Sequence, residues 1–363
     1  MKKIRVGILF GGKSAEHEIS LLSAKNVIDA IDKTKYEPVL IGIDKSGRWL
    51  MGEPSHFLLN TSNPKLIAIN KTNSQHVALV PQSKGRLTSL DSPLDKTVDV
   101  VFPILHGPLG EDGTIQGLLK LANVPFVGAG VLGSAVGMDK DVMKRLLRDA
   151  GIPVPKFLVF RHGEKPDFGS VTHALGQPVF VKPANLGSSV GISKTKDAAG
   201  LQKAAADAFR YDTKILIEEA VQGREIECAV LGNDEPIASV PGEIIPTHEF
   251  YDYDAKYVDE NGARLEAPAK LPEETMKRVQ DLAIRTFKVL NCEGMGRVDM
   301  FLKPDGTLLV NEINTIPGFT KISMYPRLWG LSGISYTQLI DRLIQLAFER
   351  FEREQKLRTS HDA

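Results

Sequence analysis

The segment GRVDMFLKPDGTLLVNEIN, residues 296–314, sets four side chains suited to metal and phosphate chemistry into two short apolar runs. Side chains along a strand repeat with a period of two. Arg297 and Asp299 therefore share one face, and Glu312 and Asn314 share a face of the next run. Pro304-Asp305-Gly306 between them is turn chemistry, which predicts a hairpin that gathers Asp299, Glu312 and Asn314 beside a guanidinium. Three hard oxygens suit Mg²⁺, which binds at about 2.0–2.1 Å and keeps waters or phosphates in its shell. A buried Arg–Glu pair with a capping asparagine would leave the same pattern. Pro317-Gly318 then breaks the strand.

Five other stretches could carry chemistry. In VFVKPANLGSSVGISK, Lys182 ends an apolar run and a loop with Gly187, Ser188, Ser189 and Gly191 follows. Glycines let backbone N–H groups approach an anion, although the spacing is not that of a P-loop and such loops are often plain turns. In ILIEEAVQGREIECAVLG, Glu218 and Glu219 end one run while Glu225 and Glu227 open the next; these carboxylates could line a nucleotide pocket or be a solvated strand end. In GGKSAEHEIS, Glu16 and Glu18 begin a helix, where a carboxylate also complements the helix dipole. The loop HGPLGEDG, from His106 to Gly113, ends another strand of the same layer. Ligands of open α/β sheets gather beyond the carboxyl ends of strands, so both loops are expected at one site. THEFYDYDAKYVDENG, with Lys256 and Tyr257 at its centre, is a long polar stretch of the kind that forms lids.

These residues need elements to position them. Apolar runs at 4–10, 39–43 and 98–104 read as strands, and 18–32 and 114–122 as helices, which suggests a parallel α/β layer. The polar stretch 53–92, with Pro54, Pro64 and Pro81, reads as an insertion without chemistry. MDKDVMKRLLRDAGIPVP predicts a helix capped by Asp139, with Val142, Met143, Leu146 and Leu147 as its apolar stripe and Gly151 at its end. Strands at 178–182, 190–194, 214–219 and 225–231 suggest an antiparallel α+β region. A loop over about 246–264, a helix at 272–290, strands at 295–302 and 307–314 and a helix at 335–355 follow. The apolar face of that last helix, from Leu339 to Phe351, reads as core packing.

Composition narrows the class. The 363 residues are 42% hydrophobic and 25% charged, as in an ordinary globular enzyme of two or three domains. A formal net charge of +0 leaves no nucleic-acid footprint. No stretch approaches the roughly 18 apolar residues of a membrane span. The run after Lys2 and Lys3 stops at Gly11-Gly12 without a cleavage site, so a first strand is expected there rather than a signal peptide. Cys228 and Cys292 fit neither a disulfide framework nor zinc spacing, and a reducing cytoplasm is the default.

Taken in order, FGGKSAEHEIS, HGPLGEDGTIQG, MDKDVMKRLLRDAGI, VKPANLGSSVGISK, EFYDYDAKY, GRVDMF and NEINTIPGFTKISMYP resemble the D-alanine–D-alanine ligase family of ATP-grasp enzymes. The likeness spans nearly the whole chain and is nearest the longer bacterial type. Pro108 stands where threonine is expected. The resemblance implies a three-domain ATP-grasp architecture, α/β then α+β: an N-terminal α/β domain at 1–138, and two α+β domains at 139–222 and 223–363 clamping ATP. It implies ATP-dependent joining of two D-alanines through a D-alanyl phosphate, for peptidoglycan precursors, by a cytoplasmic homodimer with no nucleic-acid or membrane partner.

The implied residue roles are specific. Lys140 and Lys182 meet phosphate, and Gly187, Ser188 and Ser189 close over it. Glu218, Glu219, Val221 and Glu225 hold adenine and ribose. Asp299, Glu312 and Asn314 bind two Mg²⁺ (or Mn²⁺) ions. Glu16 meets the first D-alanine's ammonium and joins Ser188 and Tyr257 in a set that closes the site. His106, Lys256, Ser323 and the Met324 N–H contact substrate, and Arg297 with the Gly318 N–H forms an oxyanion hole.

Overall fold

The computed structural model describes residues 2–53, 57–61, 63, 66–72, 74–89, 91, 93–246, 263–358 and 360–361. The expected lid residues Lys256 and Tyr257 lie outside them. The first apolar run forms the strand Ile4–Gly11, with Val6, Ile8, Leu9 and Phe10 all 0% exposed. Burial on both faces is the environment of a central parallel strand, and this strand pairs in parallel with Tyr36–Ile43 on one side and Val100–Ile104 on the other. Gly11 ends it at φ +92, where a Cβ would come within 2.2 Å of the Ile43 carbonyl oxygen. Only glycine tolerates that turn.

The sheet is larger than expected. From Tyr36–Ile43 it continues antiparallel through Trp49–Met51, Gln75–Leu79, Arg86–Ser89 and Lys96–Thr97, giving seven strands. Part of the stretch read as an insertion is thus a sheet extension. Its strands Gln75–Leu79 and Arg86–Ser89 are short and between them bury the apolar groups Val77, Leu79 and Leu87, too few to show a period. Phe57 from the same stretch packs edge-on against Phe10, with ring centroids 5.8 Å apart.

A second sheet is four-stranded and antiparallel, in the order Phe157–Arg161, Lys214–Glu219, Val179–Pro183, Ser193–Thr195. Helices Phe168–Leu175 and Ala198–Ala208 cover its apolar face. The third sheet runs Ala263–Glu266, Gly242–Pro246, Arg224–Gly232, Gly294–Leu302, Leu308–Asn314, also antiparallel. The last two strands form the expected hairpin, closed by a Lys303 N–H to Thr307 carbonyl hydrogen bond of 2.9 Å. Helix Glu273–Val289 packs on this sheet.

Tertiary contacts tie the first sheet to the C-terminal segment. Phe319 meets Phe102 edge-on at 5.7 Å, and the same cluster takes in helices Met324–Leu331 and Tyr336–Gln355. The last helix is core packing, as its pattern predicts, with one addition. Arg350 is buried, lies 4.3 Å over the Phe126 ring and donates to the Phe126 carbonyl at 2.7 Å. It anchors the helix to the backbone at Phe126, which bridges Val101 of the strand Val100–Ile104.

Helix Lys140–Asp149 starts where expected, with Asp139 accepting from the N–H groups of Asp141 and Val142 at 3.1 and 3.0 Å. Its buried face differs from the expected stripe. Met143 and Leu147 are buried, but Val142 and Leu146 are 37% and 38% exposed, and Lys140 and Lys144 take the inward places at 5% and 0%. The i, i+3, i+4, i+7 stripe thus carries two lysines, because this face lies against a site that needs cations. Asp139 also accepts from Lys214 Nζ at 2.6 Å. Asp139→Ala removes a cap worth about 1–2 kcal/mol; thermal unfolding should show a midpoint lower by roughly 2–5 °C, and an unchanged midpoint would mean the cap contributes nothing.

Candidate active site

The cleft lies where the hairpin, the Gly/Ser loop and the ends of the first sheet meet. The strand register aligns its chemistry. Glu227, Asp299 and Glu312 stand opposite one another across three adjacent strands, and Arg297 stands opposite Asn314. A bulge between Asp299 and Met300 leaves Asn311 as the extra residue, the usual means of re-aiming a side chain beside a site.

Arg297 grips Asp299 with both arms, Nε to Oδ1 at 2.7 Å and Nη2 to Oδ2 at 2.7 Å. Its Nε also lies 3.2 Å from Glu227 Oε2, and Asn314 Nδ2 donates to Asp299 Oδ2 at 3.0 Å. The expected oxygen cluster therefore assembles. Among the described residues no three His, Cys, Asp or Glu groups could hold an ion alone. Two carboxylates and an amide nevertheless fit a hard dication that takes its remaining oxygens from a polyphosphate.

Lysines surround this cluster. Lys140 Nζ is 3.1 Å from Glu312 Oε2 and donates to the Leu186 carbonyl at 2.7 Å. Lys182 Nζ pairs with Glu218 Oε2 at 2.6 Å and reaches Asn311 Oδ1 at 3.3 Å. Lys144, wholly buried, lies 3.2 Å from the other Glu218 oxygen. Burial pulls its ammonium down to about 8 against the attraction of Glu218. Burial would raise Glu218, but Lys144 and Lys182 outweigh it and hold the carboxyl below its ordinary value. The Glu218 carboxylate thus faces the lysines, and Glu219 accepts from the Lys156 N–H at 2.7 Å. Val221 and Glu225 remain half-buried, and Glu225 lines the cleft.

At the other end, Ser188 donates to Glu16 across 172 positions of chain. Glu16 is 7% exposed and faces the cleft, whereas Glu18 turns outward to Lys45 at 2.6 Å. Ser188 and Ser189 sit at φ +51 and +60, a left-handed conformation that costs roughly 1–2 kcal/mol per residue outside glycine and recurs where function demands it. Gly187 lies beside them, 3.7 Å from Glu16 measured at its missing Cβ.

The third wall is the turn after Asn314. His106 is buried, with Nδ1 3.1 Å from the Ile316 carbonyl; burial lowers its pKa, against the pull of Glu16. Gly318 admits Ser323, whose Oγ would stand 2.8 Å from a Cβ there. Ser323 precedes helix Met324–Leu331 without capping it, its Oγ accepting instead from the Thr320 N–H at 3.0 Å. Among the described residues no side chain caps that helix start. The Met324 side chain is buried along the cleft.

Two residues, Lys144 and Asn311, escape the sequence reading of the site, which already holds Glu227 among the pocket carboxylates and Glu111 within the HGPLGEDG loop. Lys144 repeats a charge four positions after Lys140, and that repetition is the available signal. Asn311 depends on a bulge and has none. Glu111 lies in the HGPLGEDG loop and accepts from the Gly107 and Ile316 N–H groups at 2.8 and 3.2 Å.

Comparison with known proteins follows this geometry. Family models described as D-ala D-ala ligase N-terminus and D-ala D-ala ligase C-terminus match residues 5–129 and 146–345. A D-alanine–D-alanine ligase of Shouchella clausii is 58% identical, covering 99% of both chains. The solved D-alanine–D-alanine ligase from Coxiella burnetii superposes at TM-score 0.85 with 39% identity, covering 98% of this chain and 97% of its own. The VanG D-Ala:D-Ser ligase of Enterococcus faecalis also gives 0.85 and 39%, covering 95% and 100%.

Burial, with Glu16 adding repulsion, pushes the Glu111 carboxyl up to about 8. A carboxyl raised above its unfolded value near 4.5 loses stability as pH climbs between the two. Glu111→Gln cannot ionise but gives up one acceptor, so it should be less stable than the parent at pH 5. That deficit should shrink or reverse by pH 9, as read by thermal midpoints; a constant deficit would place Glu111 outside this titration.

Proposed function

The chain belongs to the D-alanine–D-alanine ligase family, and from that premise we infer how its residues divide the ATP-dependent joining of two D-alanines for peptidoglycan synthesis. The observation that carries the assignment is the convergence of Asp299, Glu312 and Asn314 with Lys140 and Lys182 at one end of a cleft whose other end is closed by Ser188 on Glu16.

The first D-alanine's carboxylate is a poor electrophile, because its leaving group would be oxide. Transfer of the ATP γ-phosphoryl group makes it a D-alanyl phosphate. The second D-alanine's amine then attacks and phosphate leaves. Phosphoryl transfer is chiefly a matter of position and charge. Lys140 and Lys182 take the phosphates, and the Gly187–Ser189 backbone covers them. Adenine and ribose lie along Glu218, Glu219, Val221 and Glu225. Asp299, Glu312 and Asn314 would hold two Mg²⁺ or Mn²⁺ ions, which supply charge neutralisation on the phosphates when bound.

Glu16 meets the first ammonium near His106. Arg297 and the Gly318 N–H donate to the oxyanion that forms on amine attack, where fixed donors lower the barrier most. The Met324 N–H, with Ser323 and Lys256, takes the second carboxylate, as helix N-termini take anions. The Ser188–Glu16 hydrogen bond joins the Gly/Ser loop to the first helix; with Tyr257 it would keep water from the acyl phosphate. The same reading divides the chain at 139 and 223 and makes it a cytoplasmic homodimer. Among the described residues no helix is long and apolar enough to cross a membrane.

Glu312→Gln removes charge from the metal face without changing volume. ADP release with ATP, Mg²⁺ and D-alanine should fall by at least 100-fold while circular dichroism stays unchanged; near-normal turnover would take Glu312 out of the metal site. The likeness to a D-Ala:D-Ser ligase makes the second substrate worth direct comparison. D-alanine should be preferred over D-serine and D-lactate across pH 6–9, measured by product analysis; preference for either rival would reassign the second subsite.

A further inference from the structure

We propose that Glu227 is a positioning residue that takes over the Arg297 guanidinium when Asp299 turns its oxygens to a metal ion. Its role rests on the assignment of Asp299 as a metal ligand and Arg297 as an oxyanion donor. Both Asp299 oxygens are now covered by N–H donors: Oδ1 by Arg297 Nε at 2.7 Å, and Oδ2 by Arg297 Nη2 at 2.7 Å and Asn314 Nδ2 at 3.0 Å. Three of the carboxylate's roughly four lone-pair sites are thus taken, and a dication on the same group competes with the guanidinium for them. Metal binding therefore favours release of the arginine fork.

A guanidinium released into a half-closed cleft needs another anion, since a buried unpaired charge is strongly disfavoured. Glu227 meets that need. It stands directly across from Asp299 on the neighbouring strand and is 9% exposed. Its strand is flanked on both sides, by Gly242 and by Asp299, so the carboxylate is fixed at its root. The Nε–H already lies between the two carboxylates, 2.7 Å from Asp299 and 3.2 Å from Glu227 Oε2. Ala229 stands opposite Arg297 in the register, so no long side chain of that strand faces the fork there. A turn about the outer arginine bonds completes the exchange without moving a strand. Held through Nε by Glu227, the arginine keeps its other N–H groups for the oxyanion.

The exchange makes Glu227 matter to metal binding only through Arg297, which separates it from a carboxylate that merely adds negative charge. Mn²⁺ binding is read by electron paramagnetic resonance, in the presence of a non-hydrolysable ATP analogue, for the parent, Glu227→Gln, Arg297→Met and the double variant. Glu227→Gln should weaken Mn²⁺ about tenfold in the parent and less than twofold in the Arg297→Met background. Equal weakening in both backgrounds, or none in the parent, overturns the exchange. Should Glu227→Gln fail to fold, Glu227→Asp keeps the charge, shortens the reach and should weaken Mn²⁺ only when Arg297 is present. Asp299→Asn reports on the premise: unchanged Mn²⁺ binding there removes the metal assignment itself, and the exchange with it.

Discussion

The rest of the structure depends on the balance of opposite charges in one half-closed cleft. Glu218 is shared by Lys144 and Lys182, Glu312 is met by Lys140, and Asp299 and Glu227 both touch Arg297. A site that handles a triphosphate, dications and two amino acids must carry many charges of both signs. Left unpaired in a low dielectric, each would be costly. The protein holds them against one another, in contacts that phosphate, metal and carboxylate can replace in kind.

That balance requires elements from distant parts of the chain to arrive in register. Antiparallel pairing sets Glu227, Asp299 and Glu312 in a row, and one bulge adds Asn311 beside Lys182. On the inward face of Lys140–Asp149, Lys140 reaches Glu312 in the row and Lys144 reaches Glu218 beside it. Ser188 closes the far end by its bond to Glu16, and the Phe102–Phe319 contact with the Ser23 to Phe319 N–H hydrogen bond of 3.2 Å keeps the first sheet and the turn after Asn314 together. Apolar packing away from the cleft thus supplies the rigidity that the charged groups cannot supply themselves. Burial of aromatic and aliphatic surface has no directional demand, whereas the cleft contacts hold only in one geometry.

Much of this was legible along the chain. The hairpin at 294–314, the Asp139 cap and the buried first strand follow from period, turn residues and capping chemistry, all local signals. The inward face of the 140–149 helix was misjudged because apolar residues were taken as the stripe, while the site draws Lys140 and Lys144 inward at the expense of Val142 and Leu146. The strands within 75–97 were missed because strands of two to five residues bury too little to show a period.

The sequence by itself determined which side chains are of types suited to the chemistry and which of them share a strand or helix face, because the shared faces follow from backbone periods of 2 and 3.6. It also carried the family likeness, spread over seven segments. Only the tertiary structure decided which faces meet. The pairing of Glu227 with Arg297, the sharing of Glu218 by two lysines and the reach of Ser188 to Glu16 span 70, 74 and 172 positions at their widest. No local rule links such residues. Sheet order and register set those distances, and these are fixed by the burial of the whole core rather than by any one segment.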